Sequence, residues 1–356
     1  MKALRLYAGP AAREHIARQG LAPADVRVIP GAAGGPKGLI LGPLDQHLFG
    51  EWLPQSGQPI DLVGASIGAW RLATACLNDA VEAFTRFSHD YVHQRFDTAP
   101  GAPRITAADV SARFGADLRG FFGPRAAEVL QHPRYRLHVV TARGRHILGR
   151  DGGARTVAGY LGAFASNSLS RRSLGGWLER CVFSTGGAAL PFDTLDYRTR
   201  QLPLNEDSFH PALQASCSIP FLLQAVHDIP GAPRGAYWDG GVTDYHLHLQ
   251  YRATEGIVLY PHFQRAVVPG WLDKGLRWRH RATPFLDRML VLAPSPEWVA
   301  SLPRAKLPDR KDFTGYGGDT DARIAAWSQA VRMAQQLADE WDDWLRAPDM
   351  RQVHAL

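Results

Sequence analysis

Apolar residues in this chain occur in short continuous runs that alternate with segments of helical spacing. One run covers 26–30 and another covers 60–63. Each run is followed by a glycine-containing turn and then by apolar residues at helical spacing, at 39–49 after the first and at 69–77 after the second. Two successive strand–turn–helix units predict a mostly parallel sheet flanked by helices, so the predicted fold class is α/β.

The rest of the chain continues this mixture of helices and strands. Further helices are predicted at 79–95, 106–130, 208–217 and 321–345, and further strands at 136–141, 256–260 and 289–292. The segment 150–200 has weak periodicity and is rich in glycine, serine and arginine, which predicts an irregular insertion and a candidate lid. We therefore predict a main domain over 1–300 and a C-terminal helical extension over 301–356 that packs on it.

A serine stands at the sharp turn of the second unit. The residues Gly64, Ala65, Ser66, Ile67 and Gly68 match G-x-S-x-G between a strand and a helix, which is the context that a nucleophile elbow requires. A serine hydroxyl is a weak nucleophile until a base removes its proton, and glycines leave room at a strained turn. Ser66 is therefore the candidate nucleophile, and the amide of Ile67 is a candidate oxyanion donor.

The glycine-rich loop of the first unit is a candidate oxyanion hole. Gly34 and Gly35 stand where a strand gives way to a helix, and amides at a helix start lack an intrahelical acceptor. A phosphate-binding loop is the competing interpretation, but Gly38 follows Lys37 where that motif requires a hydroxyl for Mg²⁺. A tight turn without chemistry is the remaining alternative.

Four segments taken in chain order resemble the patatin-like phospholipase family. They are A-G-G-P-K-G at 33–38, G-A-S-I-G at 64–68, A-S-C-S-I-P at 215–220 and D-G-G at 239–241. The resemblance spans about 26–245 and implies an α/β/α sandwich and lipid acyl hydrolase activity. It also implies a Ser-Asp dyad of Ser66 and Asp239 without a catalytic histidine. The motif positions that it places around the dyad are Gly34, Gly35, Lys37, Gly38, Gly64, Gly68, Gly240 and Gly241.

The chain departs from the family pattern in two places. Ala33 replaces the first glycine of the loop. The stretch 242–248 lacks the asparagine and proline that family members more often have after the D-G-G turn. The usual substrate class therefore does not follow from the resemblance. The acyl pocket does not follow either, because the segments 79–130 and 150–200 are peculiar to this subgroup.

The reaction expected of such a site is acyl transfer. Ser66 attacks an ester carbonyl of a lipid or other acyl ester, Asp239 accepts its proton, and the acyl-serine is then released by water. An aspartate ordinarily titrates near ~3.9 and is a weak base for a hydroxyl. Partial burial by the neighbouring Tyr237 and Trp238 predicts a raised pKa for Asp239.

Two other functions remain open from the residues alone. His246 and His248 follow the aspartate, so a Ser-His-Asp esterase is compatible with the chain order. A non-catalytic lipid-binding or membrane-docking protein is the second alternative, because 271–281 mixes tryptophans with basic residues. The competing interpretation of that segment is that its tryptophans fill the core while its arginines face water.

Composition narrows the classes of protein and partner. The net charge of +6 comes from arginines that are scattered rather than clustered, which argues against nucleic acid as a partner. No apolar run reaches the ~18–20 residues that span a bilayer, and the first residues lack the apolar stretch of a secretory signal. Three widely spaced cysteines favour a reducing compartment, so we expect a cytoplasmic location, with peripheral membrane contact as an addition. No motif indicates a metal or cofactor, and no pattern predicts an oligomeric state.

Overall fold

A central β-sheet organises the part of the chain that the computed structural model describes, residues 2–95, 106–187, 189–253 and 255–356. Its strands are β1 (Leu4–Ala8), β2 (Val26–Gly31), β3 (Ile60–Ala65), β4 (Tyr135–Gly144), β5 (Leu178–Ser184), β6 (Thr199–Pro203), β7 (Val226–His227), β8 (Ala236–Asp239), β9 (Ile257–Pro261), β10 (Met289–Pro294) and β11 (Val353–Ala355). The α-helices are α1 (Pro10–Gln19), α2 (Gly42–His47), α3 (Ile67–Thr74), α4 (Ala80–Val92), α5 (Ala107–Phe122), α6 (Ala126–Leu130), α7 (Gly153–Leu169), α8 (Glu206–Ser216), α9 (Gly241–Asp244), α10 (Pro296–Ser301), α11 (Asp312–Gly315), α12 (Thr320–Met333) and α13 (Gln335–Arg346).

The strand order is β11-β1-β10-β9-β2-β3-β4-β5-β6, with β8 pairing to both β4 and β7. The five inner strands from β10 to β4 run parallel, whereas β1 is antiparallel to β10 and β5 is antiparallel to β4. The inner strands are buried almost throughout, as expected for parallel strands covered on both faces. The predicted α/β class with a mostly parallel sheet is confirmed.

One pairing brings distant parts of the chain together. Strand β3 pairs with the first part of β4 and ends with Ala65 opposite Val140. On the same side of β4, β8 pairs with its later part, with Asp239 opposite Thr141. Strands β3 and β8 therefore meet end to end along β4, and the residue after Ala65 lies beside Asp239.

The prediction of an irregular insertion at 150–200 is wrong. The segment contains the 17-residue helix α7 and the strands β5 and β6. Helix α7 buries small and polar residues such as Gly159 and Asn167, while Leu161 and Phe164 are exposed. Its apolar residues therefore do not mark the side that packs on the protein, and the usual sequence pattern of a core-facing helix is missing. Strand β5 carries buried charges at Glu179 and Arg180, which hides the apolar run expected of an inner strand.

Other boundaries differ from the predictions in detail. The helix predicted at 39–49 begins as a 3₁₀ helix, Gly35–Leu41, continues as α2 and ends in a π turn, Leu48–Trp52. The helix predicted at 106–130 is divided into α5 and α6 by a 3₁₀ turn, Gly123–Arg125, at a glycine with φ 41°. The helix predicted at 321–345 is two helices, α12 and α13, that meet at Ala334.

The C-terminal segment packs on the rest of the protein. Trp341 of α13 lies edge-on to Trp52, with 5.6 Å between ring centroids, and Trp327 and Trp344 are also buried. Strand β11, which the sequence did not predict, pairs with β1 at the edge of the sheet. Among the described residues, no helix combines the length and apolar character needed to cross a bilayer.

Candidate active site

Ser66 occupies a strained turn between β3 and α3. Its backbone has φ 56° and ψ −131°, a conformation that residues other than glycine rarely adopt. Only 5% of Ser66 is exposed, and its amide donates to the hydroxyl of Ser216 over 2.9 Å. The turn matches the geometry expected of a nucleophile elbow, because it places a serine where a strand ends and a helix begins.

Close packing explains the two glycines around this turn. A Cβ on Gly68 would lie 1.9 Å from the carbonyl oxygen of Gly31, and one on Gly64 would lie 2.4 Å from the Cα of Ala69. Neither contact leaves room for a side chain. The glycines therefore allow α3 to start directly against β2 and β3, which fixes the position of Ser66.

The structure brings Asp239 and Ser66 into direct contact, although they are 173 residues apart in the chain. The Ser66 hydroxyl donates to Oδ2 of Asp239 over 2.7 Å, and the Gly241 amide donates to Oδ1 over 2.7 Å. A Cβ on Gly240 would lie 2.1 Å from the Val140 carbonyl oxygen, so only glycine permits the turn after Asp239 to approach β4 this closely. The carboxylate is thus held with one oxygen on the hydroxyl and the other on the backbone.

The segment 215–220 joins the two halves of this pair. The Ser216 hydroxyl accepts from the Ser66 amide and donates to the Val140 carbonyl over 2.7 Å. The Ser218 carbonyl accepts from the Asp239 amide over 2.9 Å, and the Ser216 carbonyl accepts from Gly240. These two serines bond to the backbone on both sides, and they fix Ser66 and Asp239 relative to each other.

The glycine loop reaches the same place. Gly34, Ser66 and Asp239 line a small cavity. The volume of this cavity, about 10 Å³, matches roughly one water. Gly35 has φ 56°, which glycine adopts freely, and it begins the 3₁₀ helix that follows the loop. Within the described part of the chain, the amides of Gly34, Gly35 and Ile67 donate no hydrogen bond, so all three are available to an oxyanion.

Lys37 and Gly38 support the loop to different degrees. The Lys37 ammonium lies 5.4 Å from the ring centroid of Phe263, and a Cβ on Gly34 would lie 2.5 Å from that ring. Phe263 therefore requires glycine at position 34. A Cβ on Gly38 would meet Ile67 at an ordinary 3.6 Å, so packing does not require glycine there.

A second, larger cavity of about 580 Å³ opens from Ser66. Gly35 and Ile67 line it together with the segment after α8, residues of the helices α4 and α5, and the segment 310–314. Its larger apolar lining residues are Ile67, Val110, Phe114, Ile219, Phe221, Leu222, Leu223 and Phe313. A cavity of this size and lining accommodates an apolar chain bound next to the serine.

Burial sets the charge state of the acid. Removal from water raises the pKa of Asp239 to about 6, against the hydrogen bonds from Ser66 and Gly241 and the positive charges of Arg310 and Lys274. The direction agrees with the prediction from the buried neighbours Tyr237 and Trp238. A carboxylate with this pKa is a better proton acceptor than an exposed aspartate and is still ionised at neutral pH.

The histidines near the acid have other partners. Nδ1 of His246 lies 3.1 Å from both the Ala266 carbonyl and the Val268 amide. Nδ1 of His248 lies 2.7 Å from the Val267 carbonyl oxygen, and its Nε2 lies 2.8 Å from the Thr283 hydroxyl. In the described residues, no histidine is hydrogen-bonded to Ser66 or Asp239, so the serine proton faces the carboxylate directly.

Sequence reasoning missed two residues of this site. Arg310 lines both cavities, and its Nε lies 3.4 Å from the position of a Cβ on Gly35. Tyr245 lines the small cavity, and its carbonyl accepts from the Ala33 amide, which ties the glycine loop to the turn after Asp239. Arg310 lies in the C-terminal segment and belongs to no motif, so only its position in space identifies it.

Comparison with family models, curated proteins and solved structures found no match to this chain. The case for its function therefore depends on the arrangement of its own residues.

Proposed function

We propose that this protein is a serine acyl hydrolase that cleaves lipid or related acyl esters with a Ser66–Asp239 dyad. The observation that carries the proposal is the 2.7 Å hydrogen bond from the Ser66 hydroxyl to Asp239, made beside three free amides and an apolar cavity. A three-layer α/β/α arrangement of the patatin-like type belongs to the same proposal. It is supported by inner strands that are buried on both faces and by the order of the four motifs.

The steps follow from this geometry. Asp239 accepts the hydroxyl proton as Ser66 Oγ bonds to the ester carbonyl carbon, and the amides of Gly34, Gly35 and Ile67 bind the resulting oxyanion. The carbonyl re-forms, the ester C–O bond breaks, and the alcohol leaves with the proton from Asp239. Water then attacks the acyl-serine, Asp239 accepts its proton, and the carboxylic acid is released as Ser66 regains a proton.

Direct contact between serine and carboxylate favours a dyad over a Ser-His-Asp triad. A triad histidine must lie within hydrogen-bond reach of the serine. His246 and His248 bond instead to the backbone of 266–268. Burial also lowers the pKa of both histidines, so neither favours the protonated form that a triad passes through.

An exposed apolar surface supports contact with a lipid layer as part of this function. We define the apolar rim as Val157, Leu161, Phe164 and Leu169 of α7 together with Phe221, Leu222 and Trp278, all at least 42% exposed. Phe221 and Leu222 also line the larger cavity, and Phe221 contacts Tyr160 of α7 at 5.8 Å between ring centroids. The rim is therefore continuous with the proposed acyl site.

Charge favours an anionic lipid surface as the occupant of the apolar rim. Arg279 bonds to Asn167 of α7, which places Trp278 and the exposed Arg277 beside the end of that helix. Exposed arginines with nearby tryptophan and leucine are typical of a face that seats in a headgroup layer. Trp278 is 63% exposed, so the interpretation that both tryptophans of 271–281 fill the core is wrong for this one.

The proposed reaction is tested by hydrolysis of chromogenic esters with acyl chains of increasing length. We expect Ser66→Ala and Asp239→Asn to lower kcat/KM by at least ~10³-fold, since both remove a group that acts in the chemical step. Gly34→Val should cost on the order of 10²-fold, because its side chain would collide with Phe263 and displace an oxyanion amide. Ser301→Ala is the matched control and should leave kcat/KM unchanged. Equal activity of the Ser66 and Ser301 variants would contradict the proposal.

Membrane contact is tested by flotation with vesicles of phosphatidylcholine and phosphatidylglycerol. Leu161→Asp with Phe164→Asp should abolish flotation, whereas Val81→Asp, on an exposed apolar residue of α4, should not. Flotation unaffected by the changes in α7 would show that the apolar rim is not the docking surface. Ser66→Ala should float normally, because docking does not require the reaction.

A further inference from the structure

Three basic side chains lie near the small cavity that holds Ser66 and Asp239: one lines it, and two contact aromatic rings beside it. Arg310 lines that cavity directly. The Lys274 ammonium lies 3.9 Å from the ring centroid of Tyr245, which also lines it. Lys37 lies over Phe263, the ring that packs against Gly34. The three come from separate parts of the chain, and two of them, Lys274 and Arg310, lie beyond the family-like motifs.

These cations have no carboxylate of their own. Over the described ranges, none of Lys37, Lys274 and Arg310 forms a salt bridge. The acids next to Arg310 are already occupied, because Lys306 binds Asp309 over 2.8 Å and Asp312 over 2.6 Å. The carboxylate of Asp239 is nearby, but its oxygens are bound to Ser66 and Gly241.

The unpaired charges also disfavour one another. The pKa of Lys274 is lowered to about 8, first by loss of hydration and then by Arg310 and Lys37. The pKa of Lys37 is lowered by burial and by Arg310, with only Asp309 opposing. A group of like charges without a salt-bridge partner beside a substrate cavity is stabilised when an anion binds among them.

The two cavities indicate which part of an ester would carry this anion. The large cavity is mostly apolar and suits the acyl chain. The small cavity has room for little more than the reacting carbonyl and a water. Substituents on the alcohol part of the ester must therefore extend out of the cavity through its opening. Lys274 contacts Tyr245, which lines the small cavity, and Arg310 lines both cavities.

We propose that Arg310 and Lys274, assisted by Lys37, form an anion-binding subsite that selects acyl esters whose alcohol part carries a phosphate or a carboxylate. This inference rests on the proposed acyl hydrolase function and adds its substrate class. Arg310 offers a planar pair of donors that suits either anion, and Lys274 adds a point charge beside Tyr245.

The test compares three octanoyl esters that differ only in the alcohol: 1-octanoylglycerol, 1-octanoylglycerol 3-phosphate and O-octanoyl lactate. We expect kcat/KM for at least one anionic ester to exceed that for the neutral ester by on the order of 10²-fold, with higher salt reducing the difference. The phosphate and the lactate ester show which anion the subsite takes. Equal rates for all three esters would overturn the proposal.

Variants then assign the preference to residues. Arg310→Gln and Lys274→Gln should each lower the ratio of kcat/KM for the anionic ester to kcat/KM for the neutral ester by ~10-fold or more. Arg281→Gln, at an exposed arginine of the neighbouring segment, should leave all rates unchanged. If Arg310→Gln and Lys274→Gln slowed all three esters equally, these cations would serve the oxyanion or the fold instead.

Calorimetric binding separates this proposal from the proposed reaction. Ser66→Ala protein should bind the non-hydrolysed octanoylglycerol phosphate or octanoyl lactate, and Arg310→Gln in the same background should weaken binding by ~10-fold or more. Binding that depends on Arg310 without any turnover in the unmodified protein would uphold the subsite and contradict the hydrolase. Hydrolysis by the unmodified protein, together with binding that does not change in Arg310→Gln, would uphold the hydrolase and contradict the subsite.

Discussion

Two buried aspartates only five residues apart, Asp239 and Asp244, illustrate how this protein separates the proposed catalytic region from a structural one. Asp239 contacts one hydroxyl and one amide, and burial raises its pKa to about 6. Asp244 is as deeply buried, but two arginines hold its pKa below the ordinary value against the effect of burial.

The difference lies in their partners. Arg180 donates to both carboxylate oxygens of Asp244, over 2.6 and 2.8 Å, and Tyr197 donates over 2.7 Å. Arg171 adds a further ion pair at 3.2 Å. These contacts tie β5 and the loop before β6 to α9, which directly follows Asp239 and Gly240. A fully paired carboxylate fixes the fold, and one with only neutral hydrogen-bond donors remains available as a base.

Removal of the charge on Asp244 should have the largest effect on stability. Asp244→Asn leaves the buried guanidinium of Arg180 without its bidentate partner, and breaking a buried pair costs about 3–5 kcal/mol. Urea unfolding at neutral pH measures this loss. Asp343→Asn, at an exposed pair with Arg346, is the control and should change stability by less than about 0.5 kcal/mol. A loss at Asp244 no larger than this control would show that the two aspartates do not differ.

The same substitution at Asp239 should stabilise the protein. The raised pKa means that the folded protein holds the Asp239 proton more tightly than the unfolded chain does. Ionisation of Asp239 therefore begins to lower stability above the unfolded pKa, and the loss is complete above the folded pKa of about 6. At pH 8, Asp239→Asn should therefore add roughly 2–3 kcal/mol, because each tenfold difference in proton affinity between the folded and unfolded protein corresponds to ~1.4 kcal/mol. The gain should vanish below about pH 4, where both states are protonated. Urea unfolding at both pH values measures it, and destabilisation at pH 8 would contradict the assignment.

The pH dependence of hydrolysis should show the same raised pKa. Because only ionised Asp239 accepts the serine proton, kcat/KM should rise with pH and reach half its maximum near pH 6. An ordinary aspartate would place this midpoint near ~4. His248→Asn should keep the midpoint, since that histidine is held by Val267 and Thr283. A midpoint near 4, or one that moves in the histidine variant, would contradict a dyad.

The smallest expected effect comes from the serine that joins the two halves of the site. Ser216→Ala removes the acceptor of the Ser66 amide and the donor to the Val140 carbonyl, both of them buried. The free energy of unfolding should fall by about 1–3 kcal/mol. The fall in kcat should be larger than the change in KM, because Ser66 shifts while the cavities that bind the substrate keep their shape. Thermal unfolding and steady-state kinetics measure both. Ser218→Ala is the control, because only its carbonyl contacts Asp239, and its kcat should be unchanged.

The turn around Ser66 could be predicted because its determinants are local. Gly64 and Gly68 are required by contacts within one strand–turn–helix unit, so five consecutive residues carry the signal. The position of Asp239 depends on β8 pairing with β4 beyond the end of β3, a contact between distant segments. Its role was accessible only through the resemblance of ordered motifs, and the structure supplies the distance.

Other parts were not predictable for physical reasons. Helix α7 presents apolar side chains to solvent and small or polar ones to the interior, which reverses the rule that locates a core-facing helix. Strand β5 buries Arg180 in an ion-pair network, and such a network is invisible without its partners Asp196 and Asp244. Arg310 gains its meaning only from the fold that places it beside Gly35.

Mass spectrometry after reaction with a fluorophosphonate tests the central claim, a Ser66 hydroxyl activated by Asp239 alone. We predict one covalent adduct on Ser66, its rate of formation reduced at least ~10²-fold in Asp239→Asn and unchanged in His246→Asn. An adduct on another serine, no adduct at all, or labelling of Ser66 that survives Asp239→Asn but is lost in the histidine variant would contradict it.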